Sequence, residues 1–214
     1  MNRSTGIILA LDVTNRTQAL EIARTTSPFL DAIKVNYPLV LSAGVGIVTE
    51  LSKDSYVLCD FKIADIPNTN RLIVEQAVKS GAGGVICHAF PGEDSVRACV
   101  EAAEGRDVFV VTEMSHPGGQ RFTAPHADEL ARIAVESGAS GVIAPATRPE
   151  RIARIRKIVG KLKILSPGVG AQGGSAADAV KAGADHVIIG RSIYSAKDPA
   201  EAVRALAKEL EKLF

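Results

Sequence analysis

A closed barrel of eight parallel strands, each followed by a helix, is the fold that this sequence predicts, and two observations predict it. Eight short runs rich in β-branched and apolar residues alternate with longer stretches whose apolar residues recur every three or four positions, the signature of repeated βα units around a parallel sheet. Three junctions also share one grammar: Ser80-Gly81-Ala82-Gly83-Gly84-Val85-Ile86, Ser137-Gly138-Ala139-Ser140-Gly141-Val142-Ile143 and Ala182-Gly183-Ala184-Asp185-His186-Val187-Ile188. In each, the first glycine suits the left-handed cap that ends a helix, and the apolar run behind it is the next strand. Eight such units close a (β/α)8 barrel, the TIM-barrel architecture, in one domain spanning residues 1–214.

Taken in order, the strands are expected at residues 6–12, 31–35, 56–61, 84–88, 108–114, 141–144, 163–167 and 186–190. The first carries Ile7, Ile8 and Leu9, the second sets Lys34 between Ile33 and Val35, and the third ends Val57-Leu58-Cys59-Asp60-Phe61. Between strands lie helical stripes such as Ile152, Ile155 and Val159, or Leu206, Leu210 and Leu213, spaced by three and four. The longest strand-to-helix loops fall at residues 115–125 and 167–174, and in a barrel such loops crown the catalytic face.

Composition narrows the function classes. A net charge of +1 lacks the clustered cationic excess that nucleic acid or an anionic membrane calls for, and the absence of Trp removes the best base-stacking side chain. No apolar run approaches a membrane span, and residues 1–6 are too short and polar for a signal peptide. Cys59, Cys87 and Cys99 are odd in number, lack metal-ligand spacing and read as small packing groups. A reducing cytoplasm is the expected compartment.

Chemistry is expected where the strands end. Side chains alternate along a strand, so Asp60 and Lys62 project one way while Cys59 and Phe61 project the other, and Asp65 follows in the loop. A lysine flanked by carboxylates is held as ammonium, each pair contributing roughly 4 kcal/mol of Coulomb attraction at about 4 Å before desolvation. Such a lysine is a proton donor; a Schiff-base nucleophile needs a lowered pKa. Asp12 ends strand one, Lys34 lies in strand two, His88 ends strand four and Ser115 follows strand five. His88 reads equally as an acid or base and as a hydrogen-bonded structural residue, Glu113 as a salt-bridged barrel residue, and Ser115 as a substrate hydrogen bond. The glycines of Pro167-Gly168-Val169-Gly170-Ala171-Gln172-Gly173-Gly174, with Gly190 and Arg191 after strand eight, offer backbone N–H groups and a guanidinium to a phosphate.

Together, Asp60-Phe61-Lys62-Ile63-Ala64-Asp65-Ile66-Pro67-Asn68-Thr69, Leu11-Asp12, Ile33-Lys34, the Pro167-Gly168-Val169-Gly170 loop with Gln172, and Gly190-Arg191 closely resemble orotidine 5'-monophosphate decarboxylase over nearly the whole chain. The resemblance implies conversion of orotidine 5'-monophosphate to uridine 5'-monophosphate and CO2 in de novo pyrimidine biosynthesis, with no metal or organic cofactor. It implies that Lys62 stabilises the carbanion at pyrimidine C6 and protonates it, that Asp60 faces the departing carboxylate, and that Asp65 reaches into the site of a partner subunit in a homodimer. Asp12 and Lys34 are implied to contact ribose hydroxyls, with Thr69 near them across the dimer. Ser115 is implied to read the pyrimidine edge, Gln172 to bridge base and phosphate, and Gly190 and Arg191 to bind phosphate. Ile66, Pro167, Gly168, Val169 and Gly170 complete the implied substrate-binding set.

Two other readings compete. Sugar-phosphate lyases of the hexulose-phosphate synthase or ketogulonate-phosphate decarboxylase type carry a similar Asp-x-Lys-x-x-Asp but use Mg2+ held by a strand-two Glu; here Lys34 takes that place, and a cation there repels Mg2+. A catalytically inactive nucleotide-binding barrel would show decay at Lys62 or its carboxylates, and none is seen.

Overall fold

The computed structural model describes residues 1–213. Strands β1 (Ile7–Ala10), β2 (Ala32–Asn36), β3 (Val57–Ile63), β4 (Gly84–His88), β5 (Asp107–Val111), β6 (Gly141–Ile143), β7 (Lys163–Pro167) and β8 (His186–Ile189) pair in parallel in chain order, and β8 returns to β1 to close the barrel. The helices in chain order are α1 (Arg16–Thr26), α2 (Tyr37–Ala43), α3 (Gly46–Leu51), α4 (Pro67–Lys79), α5 (Glu93–Ala102), α6 (Gly119–Phe122), α7 (Ala127–Glu136), α8 (Pro149–Val159), α9 (Ala176–Lys181), α10 (Arg191–Tyr194) and α11 (Pro199–Leu210).

Strand alternation sorts the apolar residues into two cores. Inward positions Ile8, Ala10, Ala32, Leu58, Ile86, Phe109, Val111, Ile143, Leu165 and Ile188 fill the lumen, while outward positions such as Ile7, Leu9, Ile33, Val85 and Val142 pack against the helices. Each fully buried aliphatic or aromatic side chain contributes roughly 1.5–3 kcal/mol relative to exposure. Phe109 is the bulkiest lumen residue, and its neighbour in register is Gly141, where a Cβ would come within 2.9 Å of the Phe109 ring. Phe109 thus fills the lumen beside Gly141, below the mouth.

The three repeated junctions have one geometry. Gly81, Gly138 and Gly183 have φ of 98°, 75° and 109°, and the residue after each donates to a carbonyl five residues back: Ala82 to Ala77, Ala139 to Ala134, Ala184 to Ala179. This is the Schellman closure, and it launches β4, β6 and β8. The region after β5 departs from expectation. The strand stops at Val111, and residues 115–125, expected as loop, contain α6 and a 3-10 turn (Ala124–His126). Thr123 draws that segment together, accepting from the Met114 amide (3.1 Å) and donating to the Gly119 carbonyl (2.8 Å). Leu213 lies beyond the end of α11, where it packs on the outer core.

Candidate active site

The third strand brings two charges to the mouth by a device that alternation alone does not reveal. Cys59 pairs with Val85 and Ile63 with Cys87, so four steps along β3 answer two along β4. Within this bulge Lys62 has φ of 44°, a left-handed conformation that costs a non-glycine residue about 1–2 kcal/mol. The result is the expected sidedness: Phe61 turns outward and stacks on Tyr37 with ring centroids 5.3 Å apart, while Lys62 Nζ lies 2.8 Å from both oxygens of Asp60.

From there an alternating row of charge crosses the mouth. Lys34 Nζ lies 3.1 Å from Asp60 and 3.5 Å from Asp12, giving the order Asp12, Lys34, Asp60, Lys62. Asp60 and Lys34 are buried, whereas a third of the Lys62 side chain is exposed to the cavity. Burial alone would push the Asp60 carboxyl up; the ammonium groups of Lys34 and Lys62 outweigh it and hold the carboxyl below its ordinary range. Asp60 is thus an anion that two cations fix in place.

Above the lumen residues Ile86, Val111, Ile143 and Ile188 lies a cavity of about 400 Å³. Of the sequence-predicted residues, Asp12, Lys34, Asp60, Lys62, Ser115, Pro167, Gly168, Val169, Gln172, Gly190 and Arg191 line it. The loop after β7 folds on itself through Gly170 N–H to Gly174 O (2.9 Å) and Gly174 N–H to Gly168 O (2.9 Å). Gly168, at φ of 99°, lets it pass Ser115 and Thr147, which a Cβ would approach to 3.2 and 3.1 Å. This brings Gln172 over to Ser115, whose Oγ donates to Gln172 Oε1 at 2.8 Å. Arg191 opens α10 at the rim of β8, and its side chain makes no hydrogen bond or ion pair among the described residues, so its guanidinium is available to an anion.

Asp65, Ile66, Thr69 and Gly170 do not line this cavity. The expectation that Lys62 stands between two carboxylates is met within the chain by Asp60 alone. Asp65 is turned away by its own loop: its amide donates to Asn70 Oδ1 (3.0 Å), its carbonyl accepts from Ser95 Oγ (2.8 Å), and its carboxylate accepts from the Ile66 amide (2.7 Å). Buried Asn70 donates in turn to Ser95 Oγ at 2.5 Å. Asp65 and Ile66 are exposed as a result, and so are Tyr37 and Leu41 in the helix after β2 and Phe90 just past β4.

His88 also lies outside the cavity lining. Its ring packs against Phe90, its Nδ1 is buried without a hydrogen bond, and burial together with the Lys62 charge lowers its pKa to about 4, so the imidazole is neutral at pH 7. The three cysteines are free and buried, and burial, with the Asp60 charge, pushes the Cys59 thiol up to about 12. Glu113 is an ion-paired barrel residue, held by Arg148 and Arg151 at 2.7 Å each. Sequence reasoning did not single out Asn36, Met114, His116 and Tyr194, which also line the cavity. Asn36 was within reach, being two residues past Lys34 on the same face of β2.

Among the described residues no helix is long and apolar enough to cross a membrane. Chemically, the site offers a preplaced ammonium beside a fixed carboxylate above an apolar floor, with a free guanidinium at its rim. The family model described as "Orotidine 5'-phosphate decarboxylase / HUMPS family" matches residues 5–206. The chain is 58% identical over 214 residues to an orotidine 5'-phosphate decarboxylase of Methanosarcina mazei, covering 99% of this chain and 97% of that one. Its fold matches the orotidine 5'-monophosphate decarboxylase of Methanocaldococcus jannaschii in complex with the inhibitor BMP, with TM-score 0.91, 43% identity and coverage of 95% and 97%. The orotidine 5'-phosphate decarboxylase of Pyrococcus horikoshii matches with TM-score 0.89, 48% identity and coverage of 96% and 99%.

Proposed function

We propose a function from one premise: the chain belongs to the orotidine 5'-phosphate decarboxylase / HUMPS family. Within that family its reaction is the decarboxylation of orotidine 5'-monophosphate to uridine 5'-monophosphate, and the observation that carries this reading is the row Asp12, Lys34, Asp60, Lys62 across the mouth. Loss of CO2 from a ring carbon with no electron sink leaves localised negative charge, which water stabilises only by reorganising. Lys62 is fixed before the reaction, so its ammonium meets that charge without reorganisation and then supplies the proton to C6. Asp60, anchored by Lys34, sets the position of Lys62 and faces the carboxylate that leaves.

The rest of the cavity supplies orientation. Arg191 and the amides at the start of α10 bind the 5'-phosphate, with the Gly168–Gln172 loop beside them; Asp12 and Lys34 take ribose hydroxyls; Ser115 and Gln172 read the pyrimidine edge. Contacts remote from C6 assist the chemistry to the extent that they tighten in the transition state. A Mg2+-dependent lyase reading is disfavoured because the Lys34 ammonium occupies the space between Asp12 and Asp60 where a metal would sit. A turnover assay on orotidine 5'-monophosphate before and after exhaustive chelation tests the assignment; activity that vanishes with chelation and returns with Mg2+ would reject it.

The functional unit in this reading is a homodimer in which Asp65, Ile66 and Thr69 complete the partner's site. Support comes from the Asn70–Ser95 lock, which leaves Asp65 exposed, and from the apolar side chains Tyr37, Leu41, Ile66 and Phe90, exposed past the ends of β2, β3 and β4. Two inactive homodimers, Lys62→Ala and Asp65→Asn, are then expected to complement each other. In a mixed dimer one site collects both lesions and the other none, so random re-pairing restores about one quarter of wild-type activity. Mixed dimers, verified by differential tags, that are no more active than their parents would place Asp65 outside the shared site.

A further inference from the structure

Glu113 is fully buried in the wall of the cavity, and two arginines hold its carboxylate. Its two oxygens each take one guanidinium, Arg148 Nε at 2.7 Å on Oε1 and Arg151 Nε at 2.7 Å on Oε2, both arriving from the start of α8, 35 and 38 residues on. Each arginine then turns its remaining N–H groups to main-chain carbonyls of the segment that follows β5. Arg148 Nη2 donates to Met114 O at 2.6 Å and Nη1 approaches Ser115 O at 3.5 Å, while Arg151 Nη2 donates to Ala124 O at 2.7 Å. Thr147, beside Arg148 in sequence, adds its hydroxyl to Ser115 O at 3.2 Å. Both ends of the segment are thus tied to one buried carboxylate, and Ser115, which meets Gln172 across the cavity, sits next to the tighter tie.

We propose that Glu113, Arg148 and Arg151 form a clamp of positioning residues that fixes Ser115 against Gln172 and so governs selection of the base, none of the three being required for the chemical step itself. This rests on the functional reading above for its substrate, although the clamp itself is read from hydrogen bonds alone. The physical reason is geometric. A buried carboxylate needs compensation, and a guanidinium, with five N–H donors in a rigid planar fork, can satisfy it from one side while its other N–H groups hold a backbone carbonyl. A simple ion pair for stability would need no such second edge, nor would both arginines have to reach the same loop.

The test uses Arg148→Lys, which keeps a positive charge for Glu113 but not the fork that also reaches Met114 O, and so avoids stranding a buried charge. Arg148→Ala serves as the stronger lesion. Two results are expected from Arg148→Lys. Amide hydrogen exchange across residues 114–124 accelerates by roughly tenfold or more while the strands stay protected. In addition, kcat/KM for orotidine 5'-monophosphate falls roughly tenfold in the parent but less than about threefold in a Ser115→Ala background, because the two changes remove the same contact. Unchanged exchange across residues 114–124, or losses that simply multiply between Arg148→Lys and Ser115→Ala, would overturn the clamp as a device for Ser115. A parent enzyme with no turnover of orotidine 5'-monophosphate would instead reject the functional reading, and the exchange arm would then decide the clamp by itself.

Discussion

At the amino-terminal mouth of the barrel, Asp31 accepts from the amides of Ser4, Thr5 and Gly6 at 2.8–3.0 Å and lies 3.3 Å from His186, both side chains almost fully buried. Asp107 there accepts from the Tyr56 hydroxyl at 2.7 Å and is paired with the Met1 amino group and Lys163. At the carboxyl-terminal mouth, the Asp60 carboxylate has no backbone donor among the described residues; the ammonium groups of Lys34 and Lys62 compensate it, and Lys62 itself takes a left-handed conformation in a bulge. The first mouth surrounds its charges with fixed donors and closes. The second leaves an ammonium facing the cavity and a guanidinium without a partner among the described residues. Charge enclosed by several donors of its own fold serves stability, whereas charge held by ammonium groups at the wall of an open cavity is poised for a ligand that will change the balance.

Substitutions at the two mouths are therefore expected to separate activity from stability. Lys62→Ala gives the largest effect: kcat falls by at least about 10³-fold, since the group acts on charge created in the transition state, while binding of a uridine-monophosphate analogue remains detectable. Asp60 keeps Lys34, so thermal unfolding should move little; a collapse of the melting temperature would erase the contrast. Asp31→Ala is the mirror experiment. It strands three amides beside buried His186, costing roughly 3–5 kcal/mol and lowering Tm by roughly 10 °C, with kcat at 25 °C unchanged in the folded fraction.

Arg191→Ala sharpens the comparison within the open mouth. Its expected signature is a raised KM and a kcat/KM lower by about 2–4 kcal/mol, the cost of losing a charged hydrogen-bonded pair. The corresponding nucleoside, lacking the phosphate, should lose little further activity in this variant, and an equal loss on both substrates would remove Arg191 as the phosphate ligand.

The smallest effect separates the mouths by pH. His88, behind Lys62, titrates near 4 in the fold against an ordinary 6.5. Between those values the unfolded chain takes up a proton that the folded chain refuses, so stability declines as pH falls from about 6.5 to about 4, by at most about 3 kcal/mol. Asp31 and Asp107 lie on the other side: their folded pKa values are held below 3.8, so their contribution is intact above that pH and is lost only below it. Urea unfolding across this range should show the upper phase vanish in His88→Gln and the lower phase persist. An upper phase that survives the substitution would show that another group titrates there.

The barrel itself was legible because its signals are local. Alternation in short β-branched runs, helical stripes, and the glycines at 81, 138 and 183 each act within a few residues, and all three glycines adopt the left-handed cap they announce. The sidedness of Asp60 and Lys62, the phosphate-site candidates and the ion-paired nature of Glu113 followed from placing residues on strand faces and strand ends. Local pattern did not contain the bulge that sets Lys62 at φ of 44°, because the register between β3 and β4 is fixed by pairing across the sheet. Nor did it contain the Asn70–Ser95 lock or the Glu113–Arg148–Arg151 clamp, whose members stand 25 to 38 residues apart. Those contacts form only when barrel closure brings one βα unit against the next. The sequence by itself determined the eight βα units and most of the residues that reach the mouth; tertiary closure decided the rest of the lining and how those residues are aimed, because orientation depends on long-range partners that no short segment specifies.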